Sequence, residues 1–149
     1  MKISTKGDYA ARALQELSMH YNKGLLQIDE IAERQDIPVR YLEQLLLILK
    51  RAGYLESKRG ANGGYYLAKP PNQITLGEII RLMEGPPAPI YCVDPLSREK
   101  CPVENTCGFQ SVWGEVRDAV AHILDNVTFE EICRRAQLKI APKSVSYQI

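Results

Sequence analysis

Two strand-like runs, Tyr54-Leu55-Glu56-Ser57 and Tyr65-Tyr66-Leu67-Ala68, flank Lys58-Arg59-Gly60-Ala61-Asn62-Gly63-Gly64. Glycine reaches positive φ without a steric cost, so this tip closes a tight hairpin. The hairpin carries Lys58 and Arg59 at its tip, and Pro70-Pro71 breaks its second strand.

Helical patterns precede it. Ser4 or Thr5 can cap a first helix, and Thr5-x-x-Asp8 has capping-box form with Asp in place of Glu. Ala10, Ala13, Leu14, Leu17 and Tyr21 mark one apolar face of that helix, and Asn22-Lys23-Gly24 ends it. Leu25-Leu26-Gln27 reads as a short strand, followed by a short helix over about 29–35. Asp36-Ile37 turns the chain, Pro38 suits the first position of a third helix, and Gly53 stops that helix after Ala52. Leu42, Leu45, Leu46 and Leu49 form its inner face, while Arg40, Tyr41, Glu43, Gln44 and Leu47 lie toward the other side. A short helix, a turn, a longer helix and then a basic hairpin describe a winged helix-turn-helix. The expected fold is mainly α with a small β-wing, joined to a long dimerisation helix.

Beyond the wing, Thr75-x-x-Glu78 opens a helix that ends at Gly85, and Pro86-Pro87-Ala88-Pro89 leads into a loop holding Cys92, Cys101 and Cys107. Thiolates are soft anionic ligands suited to zinc, Cu(I) or iron–sulfur clusters, and three on one loop can converge on one centre. Asn105 or Thr106 can cap the next helix. Its apolar positions Phe109, Val112, Trp113, Val116, Val120, Ile123, Leu124 and Val127 make a stripe wide enough to pack on another helix. That stripe either pairs two copies or covers the chain's own core; its length beside a small module favours pairing. Thr128-x-x-Glu131 starts a last helix bearing Cys133, a small buried hydrophobe rather than a ligand. The expected organisation is a DNA-binding domain over 1–85, a cysteine loop over 86–107, dimerisation and terminal helices over 108–137, and a flexible tail over 138–149.

The 149 residues carry a net charge of +1, so overall charge does not identify a partner. Its distribution is more telling: Lys50, Arg51, Lys58, Arg59 and Lys69 cluster with Glu56 as the one anion among them. Such clustering is either a phosphate footprint or a solvated face. The charged N-terminus is no signal peptide, and no apolar run is long enough for a membrane span, so a cytoplasmic protein is expected. In a reducing compartment, clustered cysteines favour metal or redox chemistry over disulfides.

Lys6-Gly7-x-Tyr9-Ala10, Tyr41-Leu42-Glu43-Gln44-Leu45, Arg59-Gly60-x-x-Gly63-Gly64-Tyr65, Ile79-Ile80-x-x-Met83-Glu84-Gly85 and the three-cysteine loop occur together here. In combination they resemble the winged-helix regulator family that includes IscR, NsrR, RirA and CymR, and most closely its IscR-type iron–sulfur branch. The resemblance implies a bacterial homodimeric transcription regulator, with a [2Fe–2S] cluster favoured and [4Fe–4S] open. Two departures stand out. The interval from Cys92 to Cys101 is longer than in the best-known members, and Gln110 stands where IscR-type loops carry a histidine ligand. NsrR-like members use an aspartate near the N-terminus, from the other subunit, which makes Asp8 a candidate fourth ligand in trans beside Gln110. Zinc is the weaker alternative, since neither cysteine interval matches its usual spacing.

For DNA, Arg40, Tyr41 and Gln44 sit where recognition-helix side chains meet base edges, and Glu43 can accept from cytosine or repel wrong sequences. Arg59 suits the minor groove or a phosphate, Lys6 and Lys58 suit phosphates, and Asn62 is a further wing contact or only a turn residue. The function expected is a homodimeric regulator, not an enzyme, binding near-palindromic double-stranded DNA under control of a cluster that reports iron–sulfur or redox status. Two alternatives stand beside it. One is a metal-free repressor sensing thiol oxidation or nitric oxide. The other, an iron–sulfur electron carrier or redox enzyme, leaves the basic wing unexplained.

Overall fold

The computed structural model describes residues 1–142. Six α-helices, α1 (Thr5–Met19), α2 (Ile28–Gln35), α3 (Val39–Arg51), α4 (Leu76–Glu84), α5 (Phe109–Asn126) and α6 (Phe129–Ile140), accompany two antiparallel strands, β1 (Leu55–Lys58) and β2 (Gly64–Leu67). The fold is the expected one, mainly helical with a small wing.

The apolar spacing of α1 buries Ala10, Ala13, Leu14 and Leu17, against which α2 sets Ile31 and Ala32. The leucines expected inside α3 are all buried, as are Leu55 and Leu67, a directly opposed pair that roots the wing in the core. After α5 the chain returns to the start of α4. The Leu76 N–H donates to the Val127 carbonyl and the Phe129 N–H to that of Ile74, each at 2.9 Å, and Phe129 enters the core fully buried.

Several local expectations are corrected. Ser4, not Thr5, caps α1, its hydroxyl accepting from the Gly7 N–H at 3.2 Å. Asp8 takes no part in that cap and pairs instead with Arg12, one turn on, at 3.2 Å. The strand expected at 25–27 is a single bridge, Leu26 to Tyr65. Pro38 caps α3 from just outside it, and α3 ends at Arg51. Asn105 and Thr106 do not cap α5: they lie in a 3₁₀ turn, and Gly108 precedes the helix without a side-chain cap. Helix α6 runs to Ile140, past the boundary drawn at 137, and the remainder of the expected tail, from 143, lies outside the described residues.

The stripe on α5 does not cover the chain's own core. No residue of that helix is buried, and Phe109, Val112 and Ile123 are 70%, 50% and 63% exposed. Helix α5 is held instead along α4. Arg81 forms a bidentate pair with Asp125, one of its bonds 3.0 Å long, and a Cβ at buried Gly77 would overlap the Asp125 carboxylate. Truncating Phe129 to Ala should destabilise the fold by about 3–5 kcal/mol, because the side chain closes the core where the chain returns to α4. Denaturant unfolding with an unchanged m-value would measure it.

Candidate functional site

The turn between α2 and α3 depends on Asp36, whose φ of 51° is left-handed, and on Ile37, buried beneath it. With the leucines of α3 turned inward, Arg40, Glu43 and Gln44 are exposed on its outer face. Tyr41 differs from these neighbours. It is half-buried, its ring edge-to-face with Tyr9 at 5.8 Å, so α1 braces the recognition helix through it. Arg12 lies over the same Tyr9 ring at 5.2 Å and donates to Gln35, fastening the end of α2 to α1.

At the wing tip, the positive φ falls on Gly60 and Gly64 rather than on Asn62. A Cβ at Gly63 would overlap the Lys58 carbonyl, and one at Gly64 would stand 2.8 Å from the Leu26 carbonyl. These glycines let the tip fold over and let Tyr65 pair with Leu26 through bonds of 3.0 and 2.9 Å. Gln27 adds a bond from its side-chain amide to the Ala61 carbonyl at 3.3 Å. Wing and helix-turn-helix thus enclose an open groove lined by Glu43, Leu47, Lys50, Lys58, Arg59 and Tyr65.

The basic cluster divides. Lys50 donates to Ser57 at 2.7 Å and Lys69 covers the Tyr54 ring at 4.8 Å, so both serve the fold. Arg51, Lys58, Arg59 and Asn62 are exposed, and Lys6 is half-buried on the first turn of α1.

The cysteine loop leaves α4 at Gly85, where φ is +83°. A short 3₁₀ turn, Tyr91–Val93, buries Val93, and Arg117 of α5 donates to the Val93 carbonyl at 2.8 Å. That bond pins the Cys92 arm to the long helix. The lengthened interval folds on itself: the Leu96 N–H donates to Asp94 at 2.8 Å and the Glu99 N–H to Ser97 at 3.3 Å. Cys92, Cys101 and Cys107 are half-buried thiols. Tyr91 adjoins Cys92 in sequence, and its phenol is raised above its ordinary value, first by a hydrogen bond with Cys101 and the charge of that residue, then by burial, and less by the charges of Cys92 and Glu99.

Among the described residues no group of three or more His, Cys, Asp or Glu side chains is close enough to hold a metal ion. Gln110 is half-buried on the first turn of α5, and Asp8 is exposed on α1 beside Arg12. Cys133 is buried apart from the loop, its Sγ 3.8 Å from the Gln15 carbonyl; burial, with Glu16 and Glu130 nearby, pushes its thiol up to about 11.

A match to the Rrf2 family, described as an iron-dependent transcriptional regulator, spans residues 3–135. The chain belongs to the Rrf2 family. The protein rrf2 of Nitratidesulfovibrio vulgaris is 36% identical over 138 residues, covering 93% of this chain and 91% of that one. The structure of CymR from B. subtilis, described as its global cysteine regulator, matches with 36% identity and a TM-score of 0.74 over 91% of this chain and 98% of that one. The structure of T. potens IscR matches with 34% identity and a TM-score of 0.78 over 99% and 97%. As a Rrf2 regulator, the chain is a DNA-binding transcription factor and not an enzyme. No helix among the described residues is long and apolar enough to cross a membrane.

Two residues at the loop carry no sequence pattern that marks them: Tyr91 adjoins the first cysteine, and Arg117 sits mid-helix.

Three measurements follow from this geometry. Arg59→Ala should weaken duplex binding and reduce the slope of log affinity against log salt by about 0.9 if it meets one phosphate. Replacing Gln44 should instead relax sequence preference, with about 1–3 kcal/mol of discrimination lost. In metal-free protein, iodoacetamide should modify Cys92, Cys101 and Cys107 well before Cys133, whose labelling should rise only as pH approaches about 11. Peptide mapping across a pH series reads that order.

Proposed function

We propose that this Rrf2 regulator acts in the cytoplasm as a homodimer on a near-palindromic duplex, and that an iron–sulfur cluster on the cysteine loop sets its affinity for that duplex. The observation that carries the proposal is the state of α5. Its apolar stripe is exposed, and the same helix pins the cysteine loop through Arg117 and Val93. A second copy covering the stripe would place two loops and two winged helices about one two-fold axis, which requires a two-fold operator.

The donor chemistry fits a cluster: three half-buried thiols on one loop, between a fixed arm at Val93 and the start of α5. Cys92, Cys101 and Cys107 would hold it, with Asp8 of the partner subunit or Gln110 as fourth ligand. A [2Fe–2S] form is favoured, and when bound it supplies reversible one-electron chemistry and sensitivity to oxidants. The chain's own part is mechanical. Arg117 holds the first arm on α5, and Gly85 and the prolines after it lead the same arm away from α4. Drawing the thiols together therefore shifts α4 and α5 against each other and changes the separation of the two recognition helices, a population shift between operator-competent and incompetent forms.

A metal-free thiol sensor is the second reading. It is supported by the likeness to a protein described as a global cysteine regulator.

Protein prepared without oxygen should be coloured, and replacing Cys92, Cys101 or Cys107 with Ala should remove most of the visible absorbance, while Cys133→Ala keeps it. Colourless protein carrying stoichiometric zinc would establish a structural metal instead. Colourless protein without metal, whose duplex binding changes on oxidation, would establish the thiol sensor. Asp8→Ala and Gln110→Ala separate the fourth ligands, because a lost ligand alters the spectrum whereas a lost Asp8–Arg12 pair only lowers the melting temperature.

A further inference from the structure

We infer that Glu84 is a positioning residue that transmits the state of the cysteine loop to the DNA-binding face by completing the N-terminal cap of α1. The inference rests on the cluster-controlled function proposed above and adds the route by which control reaches DNA.

Glu84 is the last residue of α4, immediately before the glycine at which the loop begins. Its Oε1 accepts both the Ser4 N–H, at 2.7 Å, and the Ser4 hydroxyl, at 2.5 Å. The same hydroxyl oxygen accepts from the Gly7 N–H, so its one proton is directed at Glu84. In a capping box the reciprocal carboxylate comes from the third residue of the same helix. Here it comes from 80 residues away. Gly7 is buried, and a Cβ there would overlap the Glu84 carboxylate. Two short motifs at opposite ends of the DNA-binding domain, Lys6-Gly7 and Met83-Glu84-Gly85, are therefore the two halves of one contact.

The placement is unfavourable for α4 and favourable for α1. A carboxylate is repelled by the C-terminal end of a helix dipole and attracted by an N-terminal end. The turn it organises carries Lys6 and Asp8, and the same helix braces α3 through Tyr9 and Tyr41. Helix α4 is also tied to α5 by Arg81 and Asp125. A displacement where the loop leaves α4 thus acts directly on the cap of α1 through this carboxylate, beyond the buried packing the two helices already share.

The test compares duplex affinity of cluster-loaded and metal-free protein, using a duplex selected from a random library with the wild-type chain. The wild-type ratio of the two affinities should lie in the roughly 5–150-fold range of allosteric coupling. Glu84→Ala should bring it within about twofold of unity while the spectrum of the loaded protein stays unchanged, and Glu84→Gln, which keeps an acceptor oxygen, should restore part of it. A purely structural role would move both affinities together and leave the ratio intact, which would overturn the inference. Should Glu84→Ala not fold, Ser4→Ala removes the hydroxyl while leaving the backbone bond, and an unchanged ratio there overturns it equally. A wild-type chain that binds a cluster yet shows no difference between its two forms overturns the cluster-controlled function, and this inference with it.

Discussion

Ala10 and Ala13, both fully buried, let neighbouring helices approach α1 closely, and the remaining architecture depends on that approach. Helices α2, α3, α4 and α6 and strand β2 all touch α1. Large side chains at these two positions would push the elements packed on α1 away from it. With alanines there, the outer face of α3, the root of the wing and the exit of the cysteine loop are placed relative to one helix. The candidate DNA-contacting residues and cysteines on these elements share a common base although they are far apart in sequence.

Polar contacts tune this apolar framework rather than hold it together. Arg81–Asp125 is an exposed ion pair, a kind that contributes about 0–1 kcal/mol, and Arg117–Val93 and Ser4–Glu84 are hydrogen bonds at partly buried or exposed positions. The hydrogen bond with Arg81 does hold the Asp125 carboxyl below its usual range, so that pair persists above the ordinary carboxylate pKa and is lost only as pH falls through the lowered one. These polar contacts lie outside the buried cluster in which Ile79 and Met83 of α4 pack with Ala10, Ala13 and Leu14 of α1, so losing one need not disturb the core.

The elements legible in the sequence were those fixed by short-range periodicity. The four leucines of α3 occur at helical spacing and all face inward, and the glycines of the wing tip stand where backbone crowding or positive φ demands them. Expectations failed where a local signal had a distant competitor. Thr5-x-x-Asp8 has the form of a cap, yet Glu84 supplies the carboxylate and Asp8 turns to Arg12. Asn105 and Thr106 are good capping residues consumed by a 3₁₀ turn. Counting charge along the chain grouped Lys50 and Lys69 with Arg59, although the first two are engaged by Ser57 and Tyr54. In the loop, spacing identified the thiols as potential ligands but carried no information on Arg117, whose bond to the Val93 carbonyl arises from the return of α5 past the loop.

Helix α5 resolves an apparent contradiction between composition and packing. A helix with this many apolar side chains and no buried residue is poorly stabilised on its own, since helices of this length gain most of their stability from burying one face. Full burial of each large apolar side chain would contribute roughly 1.5–3 kcal/mol. In the proposed dimer that contribution comes from the second copy, so the free energy of pairing and the alignment of α5 become one quantity. The cysteine loop is fastened to this same helix through Arg117 and to the DNA-binding domain through the end of α4. Because the loop is otherwise organised by its own short turns, it can rearrange without opening the core. The two places where it is anchored are then the places where such a change would be felt.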